Sequence, residues 1–334
     1  MRFLVTGGAG FIGSHLSAKL SETTDSEVLV LDSLSDYYSV NLKEHRVNRF
    51  LDSRGINFRK VDLASRIEVE VIIKDFRPDF IYHLGAQAGI RLPVEKHHIY
   101  TRSNLLGFSN ILNAAIKFEV PNFLYASSSS VYGDYAQIPL SEKELNLKPT
   151  SFYGATKLSN ELMASSLANK FPIRMRGLRF FTVYGPWGRP DMAYFRVIES
   201  LINGRTFNLF GDGTIKRDFT FIDDVVRSCI LLGSELSLRT GGYHDIVNVG
   251  GGNPQSMQEM IQELEALTNQ NLKIKSRPSN VSDVRVTHSD TTMLENLIGK
   301  HPFSRINEGL EKFISWAKHE ASSEQLSEWV NSTL

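Results

Sequence analysis

The sequence predicts an α/β protein whose core is a doubly wound parallel sheet, and three observations carry that prediction. Strand-like and helix-like segments alternate through the first half of the chain, a glycine-rich loop joins the first strand to the first helix, and an aspartate ends the second strand. Such alternation requires right-handed crossover connections, with helices on both faces of the sheet. We expect ligands to bind at the carboxyl edge of this sheet, where the glycine-rich loop lies.

β-Branched and aromatic runs define the strands, and apolar residues at helical spacing define the helices. The predicted strands cover residues 3–6, 27–31, 57–61, 80–83, 122–126, 173–180 and 244–249. The predicted helices cover residues 12–20, 67–76, 98–118, 153–169, 193–203 and 223–232. Because helices cover both faces of a parallel sheet, we expect most of these strands to be buried on both sides.

Composition and charge are those of an ordinary globular chain. The sequence has 37 basic and 37 acidic residues, and 41% of it is hydrophobic. A balanced charge gives no reason to expect nucleic acid or an anionic membrane as partner, and no apolar run reaches the length of a membrane-spanning helix. Cys229 is the only cysteine, which excludes an internal disulfide and favours a reducing, cytoplasmic location.

The glycine-rich loop, Thr6-Gly-Gly-Ala-Gly-Phe-Ile-Gly13, has the spacing of a dinucleotide-binding turn. Glycines allow the backbone to approach a pyrophosphate closely, and the helix amino terminus offers free N–H groups and partial positive charge. Asp32 follows Gly13 by about 20 residues, where a carboxylate accepts hydrogen bonds from ribose hydroxyls and repels a 2′-phosphate. We therefore predict a Rossmann domain that binds NAD rather than NADP.

Two further loops at the same sheet edge are predicted to contact the cofactor. Asp62 and Leu63 follow the third strand, where a carboxylate reaches the adenine amino group. The small residues of segment 83–89 follow the fourth strand and allow close approach of the backbone, whereas His83 itself is expected to be a packed side chain. The predicted cofactor contacts are Gly7, Gly10, Phe11, Ile12, Gly13, Asp32, Asp62, Leu63, Leu84, Gln87, Tyr153 and Lys157.

The pattern changes after Phe181, where proline, glycine and arginine cluster in the segment 185–190. We predict that the Rossmann domain covers residues 1–180, with a return segment near 223–250. A smaller, discontinuous α/β domain for the substrate would cover residues 181–222 and 251–334.

A candidate reactive cluster consists of Ser128, Tyr153 and Lys157. The last two lie one helical turn apart and project from the same side of a helix, and Ser128 belongs to a run of serines that follows the fifth strand. A phenol titrates at about pH 10, but an ammonium and an oxidised nicotinamide nearby favour its ionised form and lower its pKa. Such a phenolate takes a proton from an alcohol while hydride leaves the same carbon.

With these motifs in place, the chain resembles the extended short-chain dehydrogenases/reductases of the nucleotide-sugar epimerase and dehydratase group along nearly its full length. The resemblance implies that Ser128, Tyr153 and Lys157 form the catalytic triad. It also implies that Asn104 lies near the active site. Members of this group begin by oxidising C4 of the sugar, so the resemblance predicts that chemistry here.

The same resemblance places two residues of the second half near the substrate. Thr182 matches a substrate-facing position, and Arg217 matches an arginine that grips the UDP diphosphate. A guanidinium suits a diphosphate because it donates two parallel hydrogen bonds. From the residues alone, a salt bridge from Arg217 to Asp218 or Asp223 is the alternative.

The residues after Ser128 decide among the reactions of this group. Dehydratases resemble one another in having an Asp–Glu pair there, and UDP-glucuronate decarboxylases have a Glu just before Val-Tyr-Gly. In this chain the corresponding residues are Ser129 and Ser130, so the acid–base groups for elimination or decarboxylation are missing. We therefore predict 4-epimerisation by oxidation, rotation of the keto sugar and re-reduction.

The segment 185–193, Gly-Pro-Trp-Gly-Arg-Pro-Asp-Met-Ala, closely resembles UDP-glucuronate 4-epimerases, which interconvert UDP-glucuronate and UDP-galacturonate. Serine and threonine hydroxyls would hold the sugar carboxylate. Two features depart from the family pattern: Gly85 stands where many relatives have Ala, and residues 280–283 replace the usual Pro-Gly-Asp approach to the ribose. The predicted substrate contacts are Arg91, Ser129, Ser130, Thr182, Arg189, Arg217 and Asp283, and no metal is expected.

Other interpretations stay open at this point. The rival activities are 4-epimerisation of UDP-glucose or UDP-N-acetylglucosamine and decarboxylation of UDP-glucuronate. A protein of this fold that senses NAD without catalysis is the alternative from a different functional class. The resemblance also implies a homodimer formed through the helices predicted at residues 98–118 and 153–169.

Overall fold

The computed structural model describes residues 1–134, 136–278 and 286–333. Its strands are β1 (Arg2–Thr6), β2 (Glu27–Asp32), β3 (Asn57–Lys60), β4 (Phe80–His83), β5 (Asn122–Ser128), β6 (Arg174–Phe180), β7 (Thr182–Tyr184), β8 (Thr206–Phe210), β9 (Lys216–Phe221), β10 (Tyr243–Val249), β11 (Pro254–Ser256) and β12 (Lys273–Arg277).

The helices are α1 (Phe11–Ser21), α2 (Val40–Arg46), α3 (Arg66–Phe76), α4 (His97–Tyr100), α5 (Gly107–Lys117), α6 (Phe152–Ala168), α7 (Ala193–Ile202), α8 (Ile222–Ser237), α9 (Met257–Thr268), α10 (Thr292–Ile298), α11 (Ile306–His319) and α12 (Ser323–Asn331). Two π-helical turns, Val47–Leu51 and Thr101–Leu106, continue α2 and α4. In the described part of the chain, none of the helices combines the length and apolar character that a bilayer crossing requires.

The main sheet has seven parallel strands in the order β3–β2–β1–β4–β5–β6–β10. The predicted doubly wound parallel fold is therefore confirmed. Strand order reverses between β1 and β4, and ligands bind at such a switch point, outside the carboxyl ends of the strands. Thr6 lies opposite His83 in the register, and His83 lies opposite Tyr125. The loops after these three strands therefore leave the sheet at one edge.

Alternate residues of the central strands point into two cores, one on each face of the sheet. On β1, Val5 joins the core that contains Leu16 of α1 and Cys229 of α8, whereas Leu4 joins the opposite core with Ile111 of α5. Burial on both faces is the pattern expected for parallel strands. The edge strand β3 is the exception, because it is largely exposed.

The second half of the chain adds two small sheets, β11–β9–β7 and β12–β8. Between β9 and β11 in the chain, β10 returns to the main sheet and pairs with β6 along its full length. The predicted strands and helices are present with bounds that shift by a few residues, except that the helix predicted over 98–118 is divided into parts. The division into two domains, with the bounds given above, stays a prediction.

The sequence pattern did not predict several short helices and turns. Helix α2 and its π-helical extension were not predicted, because the sequence Val-Asn-Leu-Lys-Glu-His-Arg has little apolar periodicity. The predicted helix over 98–118 is interrupted by the π-helical turn Thr101–Leu106. Turns of this kind occur often at functional sites, and this one contains Asn104.

Candidate active site

The glycine-rich loop forms a tight cradle between β1 and α1. Gly7 has a positive φ of 72°, and its N–H donates to the Leu31 carbonyl at 2.7 Å. A Cβ on Gly13 would lie 2.2 Å from the Gly7 carbonyl oxygen, so no side chain fits there. Helix α1 starts at Phe11 with neither a side-chain cap nor an acidic residue in its first turn. The uncapped N–H groups at this helix end, and the close approach that the glycines allow, therefore suit a pyrophosphate.

Asp32 is fastened to this loop from the end of β2. One carboxylate oxygen accepts a hydrogen bond from the Ala9 N–H at 3.1 Å, and the other accepts from the Leu34 N–H at 2.8 Å. Each carboxylate oxygen has two acceptor sites. The group therefore keeps capacity for ribose hydroxyls while its position is fixed.

The other predicted cofactor contacts lie in the loops after β3 and β4. Asp62 accepts from the Ala64 N–H at 2.9 Å and pairs with Arg102 at 2.7 Å. That ion pair was not predicted. Phe11 is buried, and Ile12, Leu63 and Leu84 are partly buried beside the sheet edge. These side chains can line a cofactor-binding site, but their roles stay predictions.

Asn104 links the loop after β4 to α6. Its side-chain oxygen accepts from the Gln87 N–H at 2.7 Å, and its side-chain nitrogen donates to Thr156 at 3.0 Å. Asn160 in turn donates to the Asn104 carbonyl at 2.7 Å. The buried Gln87 and the reactive helix are therefore held in one hydrogen-bonded network.

The structure brings Ser128, Tyr153 and Lys157 together. Ser128 is the last residue of β5, and its side chain acts on the Tyr153 hydroxyl in the direction that favours the ionised phenol. Lys157 Nζ donates to the Ala126 carbonyl at 2.9 Å and lies 5.9 Å from the centroid of the Tyr153 ring. A hydroxyl, a phenol and an amine therefore meet at the carboxyl edge of the sheet.

Burial is the largest influence on the pKa values of the cluster. Burial raises the pKa of Tyr153, opposed by the positive charge of Arg189 and by the hydrogen bond to Ser128. Burial also lowers the pKa of Lys157 to about 8, opposed by the negative charge of Glu161. Desolvation of the phenolate therefore outweighs the charges of the protein's own groups, and the predicted lowering, which includes the charge of an oxidised nicotinamide, stays a prediction.

A buried ion pair behind the cluster was also not predicted. Arg179 on β6 donates to both carboxylate oxygens of Glu161 on α6, at 2.9 and 2.8 Å. The Ser127 hydroxyl donates to the same carboxylate at 2.5 Å. The pair therefore joins the end of β5, strand β6 and the helix that carries Tyr153. The only sequence signal was a glutamate one helical turn after Lys157.

The hydroxyls predicted to hold the sugar lie at the same edge. Ser130 donates its N–H to Ser128 Oγ at 3.2 Å, and the two hydroxyl oxygens are also 3.2 Å apart. Ser129, Ser130 and Thr182 are all partly buried. Because β5 and β6 are neighbours, the serine turn after β5 and the start of β7 leave the sheet side by side.

Arg189 forms part of a polar cluster with Asp191 and Tyr37. Arg189 Nε donates to Asp191 Oδ1 at 3.0 Å, and a second guanidinium nitrogen contacts the other carboxylate oxygen. The Tyr37 hydroxyl donates to the same carboxylate at 3.3 Å. A Cβ on Gly89 would lie 2.1 Å from the Tyr37 hydroxyl oxygen, and the Gly89 carbonyl accepts a hydrogen bond from Tyr100 at 2.6 Å. The Tyr100 ring lies 6.1 Å from the Tyr153 ring, so this cluster borders the reactive one.

The remaining predicted substrate contacts have different surroundings. Arg217 is partly buried on β9, and Arg91 is exposed after β4. Both proposed alternative partners of Arg217 are engaged elsewhere: Asp218 accepts hydrogen bonds from Ser289, and Asp223 pairs with Lys312 at 3.5 Å. The predicted contact Asp283 lies outside the described residues.

Two further observations complete the site. His83 is buried, with its pKa lowered to about 3 by burial and its ring nitrogen 2.8 Å from the Thr6 hydroxyl, so the prediction of a packed histidine is confirmed. Within residues 1–134, 136–278 and 286–333, no group of three or more His, Cys, Asp or Glu side chains is placed to hold a metal ion.

Comparison with known proteins gives the family. Residues 3–250 match the NAD dependent epimerase/dehydratase family. A probable UDP-glucuronate 4-epimerase of Rhizobium meliloti is 36% identical over 330 residues, which cover 95% of this chain and 96% of the relative.

Solved structures agree with that match. UDP-glucuronic acid 4-epimerase from Bacillus cereus, in complex with UDP-glucuronic acid and NAD, has a TM-score of 0.88 and 31% identity, covering 96% of this chain and 100% of the other. UDP-glucose 4-epimerase from Thermotoga maritima, with UDP-glucose, has a TM-score of 0.86 and 29% identity, with the same coverage of 96% and 100%. The chain therefore belongs to the NAD-dependent epimerase/dehydratase family.

Proposed function

We propose that the protein is an NAD-dependent UDP-glucuronate 4-epimerase, which interconverts UDP-glucuronate and UDP-galacturonate. The observation that carries the proposal is the cluster of Ser128, Tyr153 and Lys157 beside a serine turn that contains no carboxylate. The Rhizobium relative and the Bacillus structure support the same substrate.

NAD fits the glycine-rich cradle. The backbone between Gly7 and Gly13 would hold the pyrophosphate, and Asp32 would accept the ribose hydroxyls. Asp62, Leu63, Leu84 and Gln87 would line the remainder, together with Phe11 and Ile12. When bound, NAD would supply the hydride acceptor for C4 of the sugar, and the charge of its oxidised ring would favour the ionised phenol.

Tyr153 is the proposed base for the sugar O4 proton. The Ser128 side chain favours the ionised form of Tyr153, and the serine would hold the O4 oxygen beside it and keep the proton path short. Lys157 is fixed by the Ala126 carbonyl, with its charge directed at the same space. On return of the hydride to the other face of C4, Tyr153 gives the proton back.

Neutral hydroxyls distinguish this site from those of the rival reactions. Ser129, Ser130 and Thr182 would donate to the sugar carboxylate and keep its bond to C5 out of alignment with the C4 carbonyl π system, which prevents loss of CO₂. Without a carboxylate at positions 129 and 130, no general acid is in place for dehydration. Arg91, Arg189, Arg217 and Asp283 remain proposed contacts to the nucleotide part.

A 4-epimerase of UDP-glucose is the second candidate, favoured by the Thermotoga structure with UDP-glucose. It uses the same oxidation and re-reduction but has no carboxylate to hold. The three hydroxyl side chains therefore favour the uronate.

We also propose a cytoplasmic homodimer. Leu106, Phe152 and Leu162 expose 46%, 42% and 63% of their surface along the helices predicted to form the interface, and a partner copy would cover them. The single buried thiol of Cys229 suits a reducing compartment.

The test is proton NMR of purified protein with UDP-glucuronate and no added reductant. We expect UDP-galacturonate to appear until a stable ratio is reached, without a UDP-pentose and without accumulation of NADH. UDP-pentose would instead establish decarboxylation. Turnover of UDP-glucose alone would establish the second candidate, and no turnover of either sugar would favour the non-catalytic interpretation.

A further inference from the structure

Arg46, the last residue of α2, is fully buried and bonds to neutral oxygens on two loops distant in the chain and to a hydroxyl just before its own helix. Its Nε donates to the Trp187 carbonyl at 2.9 Å, and a terminal nitrogen donates to the Gly188 carbonyl at 2.7 Å. The other terminal nitrogen donates to the Tyr38 hydroxyl at 2.7 Å and to the Ala9 carbonyl at 3.3 Å. None of the ion pairs found among the described residues includes Arg46.

A buried cation without a carboxylate partner is unfavourable in itself. An apolar side chain of similar volume would fill the space without that cost. What the guanidinium adds is a rigid, planar fork of five N–H donors, which can bond to several acceptors at once. The bonding pattern therefore indicates that Arg46 serves to hold the two loops together.

One of these loops is the proposed site of the dinucleotide phosphates. Ala9 lies in the middle of the glycine-rich loop, and its own N–H donates to Asp32. The carbonyl of the same residue faces Arg46. The guanidinium therefore supports this loop from the protein side.

The other loop is the segment Gly185–Asp191. Trp187 has a positive φ of 61°, a backbone conformation that a bulky residue adopts only when its surroundings hold it there. Its carbonyl is bonded to Arg46, and its ring packs on Trp316 and Trp329 at 5.3 and 6.2 Å. Arg189, two residues further on, is held by Asp191 in the polar cluster with Tyr37, and that cluster borders Tyr153 through Gly89 and Tyr100.

We propose that Arg46 is a positioning residue, which fixes Arg189 beside Tyr153 by fastening the segment Gly185–Asp191 to the glycine-rich loop. Its kinetic tests rest on the proposed epimerase activity, whereas its spectroscopic test does not. The rigid fork makes the role specific to arginine, so lysine should not replace it.

The kinetic test compares Arg46→Gln and Arg46→Lys with the wild type. We expect kcat to fall about 10- to 100-fold in both, because loss of the guanidinium displaces the glycine-rich loop as well as the segment of Arg189 and so misplaces several groups around the reacting atoms. In the profile of kcat against pH, the rise on the acid side (the acid limb) should move to higher pH, since Arg189 no longer favours ionised Tyr153. Arg49→Gln is the control, because Arg49 lies on the adjoining π-helical turn and is exposed in its pair with Glu320. Rescue by lysine, or an unmoved limb, would overturn the proposal.

A double-mutant cycle separates positioning from general stability. If Arg46 acts through Arg189, Arg46→Gln should not move the acid limb further in an Arg189→Gln background. Additive shifts of the limb would show that Arg46 acts by another route. A purely structural role would lower the melting temperature and leave the limb where it is.

Tryptophan emission tests the loop without any substrate. The chain has 3 tryptophans, and all belong to the cluster around Trp187. We expect Arg46→Gln to shift the emission to longer wavelength and to increase acrylamide quenching, whereas Arg49→Gln leaves both unchanged. Unchanged emission would overturn the proposal even if UDP-glucuronate proved not to be the substrate. If the glutamine variant does not fold, Arg46→Lys decides the same measurement.

Discussion

Two buried arginines flank the candidate active site, and they differ in the charge of their partners. Arg179 faces the carboxylate of Glu161 in a two-bonded ion pair. Arg46 bonds to carbonyl and hydroxyl oxygens instead. Arg179 joins β6 of the main sheet to α6. Arg46 joins the glycine-rich loop to the loop that contains Trp187.

This difference separates the two sides of the site. On the reaction side, Ser128 lies at the end of β5 and Tyr153 lies on α6. The buried ion pair of Arg179 and Glu161 connects these elements, so the main sheet and α6 fix the positions of both residues. On the loop side, Arg189 depends on backbone hydrogen bonds to Arg46. We infer that loss of the ion pair mainly affects stability, whereas loss of Arg46 mainly affects catalysis.

The largest expected effect is on the reaction side itself. Tyr153→Phe removes the base for the O4 proton, so turnover of UDP-glucuronate should fall about 10²- to 10⁴-fold. The variant should remain folded and keep its NAD, measured as dinucleotide released on denaturation. Near-normal turnover would remove Tyr153 from the proposed mechanism.

Glu161→Gln tests the ion pair. Removing the carboxylate leaves the Arg179 guanidinium buried beside a neutral amide, which should cost about 3–5 kcal/mol of unfolding free energy, measured from urea denaturation. Glu320→Gln is the control, because Glu320 pairs with Arg49 with 45% of its side chain exposed, and its loss should cost less than about 1 kcal/mol. Equal losses of unfolding free energy in the two variants would mean that the buried ion pair contributes no more to stability than an exposed one.

Arg189→Gln tests the loop side and should have the smallest effect. The charge of Arg189 lowers the pKa of Tyr153, and the base acts in its ionised form, so kcat rises with pH. Loss of the charge should raise that pKa and move the acid limb to higher pH, with the plateau less affected. The measurement is kcat against pH, with Arg66→Gln, an exposed change on α3, as control. A limb that stays in place would mean that Arg189 does not act on the phenol.

Much of the fold followed from local pattern. The glycine-rich loop, the strand runs and the Tyr153–Lys157 spacing each depend on residues close in the chain, and the structure has the predicted elements. The missed elements, such as α2 and the π-helical turn around Asn104, have weak apolar periodicity or depend on tertiary contacts. Local spacing could not indicate them.

The sequence by itself determined the sheet, the cradle and the identity of the reactive side chains, because helix and strand geometry fixes the neighbours of each residue. Only the tertiary structure decided what surrounds them. Arg46 meets Trp187 across 141 positions, Arg179 meets Glu161 from another element, and burial raises the pKa of Tyr153. Such contacts and such desolvation arise from the packing of distant segments, which no local spacing encodes.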